Sequence, residues 1–417
     1  MAEVLVRMYD VGFGDCFLVE FPRDDGTAFR VLVDCGSHSS GHPRKGWRIS
    51  EVVARIVKDL QGAPIDIVVA SHRHQDHVSG FGDPGWQDVT VGEVWMPWTE
   101  NPDDPDATRI RNRQSSLALN LTNAFASAEF TARWTATEQP VALQAMVTNS
   151  LTNEVAMRTL HHGFAGRPRR RFLSTASTSR IRPADCPGLT VHLLGPSREP
   201  SVIRDMDPPS GQSYLRFQTP AAAPTPDEPR YSQTFSESQQ PFSSSFVVPG
   251  MTLGGTGADR RIQEAAAGIM RDTDLATAVS LDKAVNGTSL MLMFEFGSAY
   301  LLFPGDAQWG TWNAVLTDRA TRELVSRTTF YKVGHHGSHN ATPKQFLEDV
   351  LEPDHKMWGC AASVRPISFW PEIPRAPLMK SLAGHSSRVV RSDKPGRGRK
   401  GVGVPKGGGV VLLHVPS

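Results

Sequence analysis

The chain has 417 residues, 39% of them apolar and 21% charged, with 36 glycines and 31 prolines. Such a composition supports a sizeable core with long loops, most simply one large domain carrying insertions, and excludes wholesale disorder and fibrous repeats. The formal net charge is +1, so any affinity for nucleic acid has to come from local patches. Cys16, Cys35, Cys186 and Cys360 lie far apart with no Cys-x-x-Cys pair, which argues against a disulfide framework and against a cysteine zinc knuckle. Met1-Ala2-Glu3-Val4 does not open a secretory signal, and no run of about 18 apolar residues occurs. The expectation is a soluble, cytoplasmic α/β or α+β enzyme.

The first third reads as strands at Val4–Val11, Cys16–Phe21 and Arg30–Asp34, with Gly12-Phe13-Gly14-Asp15 as a hairpin-like break. Apolar residues at Ile49, Val52, Val53, Ile56, Val57 and Leu60 have helical spacing. Ile65–Ala70 and Val91–Met96 are further strands. Residues 97–187 read as a partly helical insertion, helical over Asn112–Arg133 and arginine-rich over His161–Pro183. Leu189–Leu194 returns to strand character, and residues 197–257, rich in Pro, Ser and Gly, read as a loop insertion. A short helix near Asp259–Arg271 leads to strands at Ser289–Phe296 and Ala299–Phe303. A helix after Asp306, a strand at Thr328–Val333, a helix near Pro343–Leu351 and a strand at Lys356–Ala362 follow. Residues 363–417 read as an extension with a basic tail. The halves share an outline of strands, polar loop and helix, which predicts two similar sheets face to face with helices outside.

Ser71-His72-Arg73-His74-Gln75-Asp76-His77 directly follows the apolar strand Ile65–Ala70. Imidazole nitrogens and a carboxylate at this density are the donor set of a first-row metal ion, and a plain solvated turn requires no such run of histidines. His72 and His74 can point together at one ion while Asp76 and His77 turn toward a second. More than 220 residues on, Phe303-Pro304-Gly305-Asp306 closes a strand, and Thr328–Val333 runs into Gly334-His335-His336-Gly337-Ser338-His339. A strand-end Asp alone is often only a helix cap. Together these clusters repeat one placement, with ligand-type residues beyond the carboxyl ends of apolar strands.

The motifs resemble the metallo-β-lactamase superfamily, and within it the stand-alone relatives of the ComEC/Rec2 hydrolase domain. The likeness runs over roughly Val4–Met96 and Leu189–Cys360. It rests on Asp10-Val-Gly-Phe-Gly-Asp15-Cys16, Leu32-Val-Asp34-Cys-Gly36, His72-Arg-His74-Gln-Asp76-His77, Leu302-Phe-Pro-Gly-Asp306 and Lys332-Val-Gly-His335-His336-Gly-Ser338. The resemblance implies a four-layer αββα sandwich with insertions and two divalent ions, zinc or manganese. His72, His74 and Asp306 would hold the first ion, and Asp76, His77, Asp306 and His335 the second. It further implies hydrolysis by a hydroxide bridging the two ions, with Asp76 orienting it or moving its proton. Asp34 is expected to support the histidine loop, and His336, Ser338 and His339 to touch substrate or to support the ligands from behind. One departure stands out: Asn286 occupies the place of a further histidine ligand, which leaves the first position short of a nitrogen donor and open to manganese as well as zinc. His161, His162 and His192 are expected to be ordinary histidines.

The runs Arg167–Arg171 and Arg388–Lys406 are the clear basic patches, and phosphate backbones attract such clusters. The leading expectation is therefore a phosphodiesterase or nuclease acting on DNA, RNA or a nucleotide, with no membrane partner. Two alternatives remain: a hydrolase of thioesters, lactams or other carboxylic esters with the same ions, and a non-catalytic binding or signalling module that keeps the fold.

Overall fold

The computed structural model describes residues 3–125, 147, 149, 153–176, 179–214, 281–338, 340, 342–351, 357–367, 370, 372–396, 399–406 and 408–417. Strands β1 (Glu3–Tyr9), β2 (Cys16–Pro22) and β3 (Ala28–Cys35) form an antiparallel meander. Helix α1 (Ile49–Leu60) then carries the chain to β4 (Ile65–Val69) and on to β5 (Val91–Pro97), so that β3, β4 and β5 run parallel. Strand β6 (Arg169–Leu173) adds a parallel edge beside β5.

The second sheet is built from β7 (Arg180–Ile181), β8 (Leu189–Gly195), β9 (Met291–Phe296), β10 (Ala299–Phe303), β11 (Phe330–Lys332), β12 (Gly359–Ala362) and β13 (Val389–Arg391). Its order is the reverse of the chain, β13 to β7, antiparallel in the early strands and parallel from β10 to β13. The chain then returns to the first sheet as β14 (Val402–Gly403) and β15 (Val410–Pro416), which closes against β1. The first sheet therefore reads β14-β15-β1-β2-β3-β4-β5-β6.

Period-two alternation decides which residues meet between the sheets. Val4, Val6 and Met8 of β1 and Phe17, Val19 and Phe21 of β2 turn inward, onto Leu292, Phe294, Leu301 and Phe303. The opposite face of the first sheet, including Leu18, Leu32 and Val68, is covered by Val52, Val53, Ile56 and Leu60 of α1. On the far side, Met293, Leu302 and Tyr331 pack under Trp312, Val315 and Leu316 of the helix Trp309–Thr317. Helices outside and two mixed sheets inside make the four-layer αββα sandwich expected from the sequence.

Several elements differ from expectation. The helix expected from Asn112 begins at Pro105, because Asp104 accepts hydrogen bonds from the Asp106 and Ala107 amides and Pro105 preorganises the first turn. It is described to Phe125; the remainder of the expected span lies outside the described residues, as does the helix expected near 259–271. The arginine-rich run forms sheet edges β6 and β7, one in each sheet. Between Pro343 and Leu351 there is one π-helical turn, Phe346–Val350. Residues beyond 363 are no loose tail: they form the helix Ala376–His385 and three strands, because Val411, Leu413 and Val415 alternate into the core. Two of the basic side chains there are tied down, Arg388 to the Lys400 carbonyl at 2.9 Å and Arg391 to Asp393 at 2.7 Å. Among the described residues, no helix is long and apolar enough to cross a membrane.

Candidate metal centre

The site lies where both sheets present strand carboxyl ends along one side of the sandwich. From the first sheet, the 71–77 loop leaves β4, and the short helix α2 (Gln75–Val78) lifts Asp76 and His77. From the second, Asp306 follows β10, and His335 and His336 follow β11. Backbone contacts fix the loop. A Cβ on Gly36 would collide with the His77 amide and the Asp76 carbonyl carbon, and one on Gly14 with the Asp76 carbonyl oxygen. Those two glycines allow the ends of β2 and β3 to press against α2.

Asp34 anchors the loop further. One carboxylate oxygen accepts from the Ser71 amide at 2.7 Å, and the other from the Ser71 hydroxyl at 2.7 Å and from His77 Nδ1 at 2.9 Å. With Nδ1 committed, His77 points Nε2 toward Asp306. Asp34, His335 and His336 all have positive φ, at 57°, 41° and 51°, a backbone state rare outside glycine. Two residues of the long insertion brace the same loop: Asn149 Oδ1 accepts from the Asp76 amide at 3.3 Å, and Asn153 donates to the Arg73 carbonyl at 2.6 Å.

Donor atoms converge at spacings that suit shared ions. His72 Nε2 and His74 Nδ1 are 3.1 Å apart, His77 Nε2 and Asp306 Oδ2 3.2 Å, and His336 Nε2 and Asp76 Oδ2 3.0 Å. Two ligands on one zinc-sized ion, each about 2.0–2.1 Å from it, sit roughly 3 Å apart. His336 also donates from Nδ1 to the Ser363 carbonyl at 3.0 Å, which leaves Nε2 as the free donor atom. Asp15, His77, Asp306 and His336 are all buried and place one ligand atom each within 4.8 Å of the others. Asp76 Oδ1 and His77 Nε2 are buried without a hydrogen bond. The donor set and these unmatched atoms fit a metal centre.

The electrostatics of the metal-free chain point the same way. Burial would raise Asp76 and Asp306, but the surrounding histidines hold both carboxyls well below the usual range. Burial disfavours charge on His77 too, yet Asp306, Asp76 and Asp34 keep its imidazolium well above the ordinary histidine value. His336 is raised as well, burial being outweighed by Asp15 and Asp76. His72 is pushed well down and His74 to about 4, by burial first and by neighbouring histidines. Behind the cluster Lys332 from β11 is fully enclosed and ion-paired with Asp15, with its ammonium 3.8 Å from Asp306. Asp15 thus faces a fixed cation as well as the histidines.

A cavity of about 210 Å³ opens over the cluster. His74, Asp76, Asp306 and His335 form its floor, with Phe13 and Trp370 on one side and Lys283 and Arg375 among its cationic groups.

The structure brings His72, His74, Asp76, His77 and Asp306 together in one cluster. It differs over the final motif. The expectation put His335 among the ligands and His336 toward substrate, whereas His336 reaches Asp76 and His335 borders the cavity, 3.8 Å from Asp306. Both residues have a left-handed backbone, which sequence spacing does not reveal. Ser338 lines the cavity and donates to Asn340 at 2.6 Å. His339 lies outside the described residues. Asn286 is fully buried beside the site and donates to Asp282 at 3.3 Å. His192 pairs with Glu295 at 2.6 Å and His161 lies against Phe172. Sequence reasoning passed over Asp15, Asn149, Asn153, Asp282 and Arg375; only Asp15 had a local signal, the Gly12-Phe13-Gly14-Asp15 turn. The arginines of β6 do not line the cavity: Arg169 to Arg171 pair in register with Glu93 to Trp95, toward the start of the parallel strands.

No curated protein matches the sequence. Residues 9–107, which include Asp15, Asp34 and the whole 72–77 loop, match the family model of the metallo-beta-lactamase superfamily. That match does not support the expected closeness to ComEC/Rec2 relatives. With two mixed sheets, outer helices and a histidine–aspartate cluster along the strand ends, that match identifies the fold as the metallo-beta-lactamase fold.

Proposed function

We propose that the protein is a metal-dependent phosphodiesterase acting on a nucleotide, DNA or RNA. In this reading His72, His74 and Asp306 hold a first divalent ion, and Asp76, His77, Asp306 and His336 a second. When bound, such ions supply Lewis acidity and a water ionised near neutral pH. The observation that carries the substrate class is the cavity, where the aspartate–histidine floor shares one space with Lys283 and Arg375. Both cations also have acidic partners, Lys283 in Asp207 and Arg375 in Glu372 at 3.2 Å, and Arg375 keeps Nε buried without a hydrogen bond, the group a phosphodiester anion over that floor would meet. Phe13 and Trp370, with ring centroids 5.5 Å apart and planes inclined at 37°, make one side apolar, and Trp370 is the more exposed ring against which a nucleobase could stack.

The chain's own groups divide the work. Asp76 has one oxygen against His336 and the other unmatched, so it can orient a water and take its proton as oxygen adds to phosphorus. His335 borders the cavity and is placed to deliver a proton to the departing alkoxide as the P–O ester bond breaks. Its Nδ1 has no hydrogen bond and burial lowers its pKa, so it rests neutral and the proton it delivers is the one Asp76 takes from the water, accepted first at the open nitrogen.

The test is a panel of small phosphodiesters, single- and double-stranded DNA, RNA, a thioester and a lactam, assayed with added zinc or manganese. Turnover of phosphodiesters, lost by more than about 100-fold in Asp76→Ala and His74→Ala with the fold intact by circular dichroism, is expected; that loss exceeds what removal of an outer supporting group costs. Turnover confined to the thioester or lactam would replace the substrate class, and wild-type rates in either variant would reject the metal mechanism. A chain that binds the metals and hydrolyses nothing would be a binding module.

A further inference from the structure

Three polar side chains run in series from the cavity to the backbone of Asp306, and their direction is fixed from one end. The Asp306 carbonyl can only accept, so the Gln308 atom that faces it at 3.2 Å is the amide nitrogen Nε2. Gln308 Oε1 then faces Asn340, which donates from Nδ2 at 2.7 Å. Asn340 Oδ1 is thereby turned to Ser338 and accepts its hydroxyl hydrogen at 2.6 Å. All three side chains are buried, and Ser338 and Asn340 border the cavity over His74, Asp76 and Asp306. A serine hydroxyl has one hydrogen and two lone pairs. With that hydrogen committed inward, Ser338 Oγ has only acceptor capacity left for a molecule in the cavity. Phosphodiester oxygens are themselves acceptors and gain nothing there. The preceding residue, Gly337, accepts from the Arg375 amide at 2.9 Å, so this acceptor stands beside the segment that brings Arg375 to the cavity. A bound substrate thus meets a cationic group for its phosphate and, close by, an oxygen that requires a hydrogen-bond donor.

We propose that Ser338 is a specificity-determining residue that accepts a hydrogen bond from a sugar hydroxyl beside the scissile phosphate, so that ribonucleotide diesters are preferred to deoxyribonucleotide ones. Asn340 and Gln308 are the positioning residues that hold its hydroxyl in the accepting direction. This rests on the phosphodiesterase reading above and narrows its substrate class. Within an internal nucleotide the ribose 2′-hydroxyl is the donor nearest the 3′-phosphate, and a deoxyribose offers none. A substrate without that donor leaves Ser338 Oγ desolvated and unmatched, a loss of about tenfold or more.

The experiment uses the full chain, supplied with zinc or manganese, and matched dinucleoside phosphodiesters that differ only at the 2′ position: hydroxyl, hydrogen or methoxy. Wild type is expected to favour the hydroxyl over both others by about tenfold or more in kcat/KM, since methoxy keeps the oxygen but has no hydrogen to donate. In Ser338→Ala the hydroxyl-to-hydrogen ratio is expected to fall to within about threefold of unity. Asn340→Ala releases the serine hydrogen toward the cavity, so the methoxy diester, an acceptor, should gain on the hydroxyl diester relative to wild type. A purely structural role for the series would lower all three rates together and leave the ratios as they are, which would overturn the proposal. Equal use of the hydroxyl and hydrogen diesters by wild type, or a preference that persists in Ser338→Ala, would overturn it too. So would a 2′,3′-cyclic phosphate product, which would make the 2′-hydroxyl the nucleophile. Hydrolysis of no phosphodiester at all would instead overturn the reading beneath it.

Discussion

His77 joins four carboxylates in one enclosed space: Asp34 at 2.9 Å, Asp306 at 3.2 Å, Asp15 at 3.6 Å and Asp76 at 4.0 Å. Its raised pKa means that the metal-free chain keeps this imidazolium at neutral pH. The sign follows from linkage: the raised group contributes stability that is complete below its unfolded value, about 6.5, and is lost as pH rises through the folded value. A cation competes for the same Nε2, so uptake should release a proton and metal affinity should climb with pH across the neutral range. Nitrogen NMR of chelator-treated protein at pH 7 should show His77 protonated and His72 and His74 neutral. Calorimetry in buffers of different ionisation enthalpy should count the proton released on loading. A neutral His77 in the chelated chain would contradict the carboxylate arrangement. At this scale the sequence displayed the 72–77 ligands because they are contiguous. It did not display Asp282, which carries no motif, nor that His336 rather than His335 reaches Asp76.

Among the elements, β6 separates charge from chemistry. Arg169 and Arg170 are exposed on an edge strand, while Arg171 stacks over Trp95 and lies 3.6 Å from Glu93. Charge along an exposed edge discourages another strand from pairing there, so this patch has a structural role independent of substrate. Replacing Arg169 and Arg170 with alanine should leave KM for a small chromogenic diester unchanged. It should raise KM for a polynucleotide in a salt-dependent manner if long substrates run past the cavity toward this edge. Equal changes for both substrates would bring the patch to the site, against its position in the register. The strands themselves were largely legible: β2, β3, β4 and β10 fall within two residues of their expected bounds, and α1 matches, since period-two and helical spacing are local properties. The strands β13 to β15 were not expected. Gly and Arg around them read as a tail, and only pairing with β12 and β1 gives their short apolar runs a partner.

For the molecule as a whole, a site assembled from both sheets ties metal binding to the stability of the sandwich. An ion bound only by the folded chain adds about 2.7 kcal/mol when its free concentration is 100-fold above its Kd. Scanning calorimetry should therefore show chelation lowering Tm in one cooperative transition, reversed by added metal. An unchanged Tm would mean that the loops reach their positions without the ion contributing, or that none binds. The sequence by itself determined the donor chemistry, the apolar strands that carry it and the outline of two matched halves, because each is written in residues close together along the chain. Tertiary structure alone decided which of two adjacent histidines meets Asp76, that Asp15 is held by a buried lysine, and that a carboxylate at 282 enters the cavity. Those contacts join segments more than 200 residues apart, and their geometry follows from sheet pairing and close packing across the whole core.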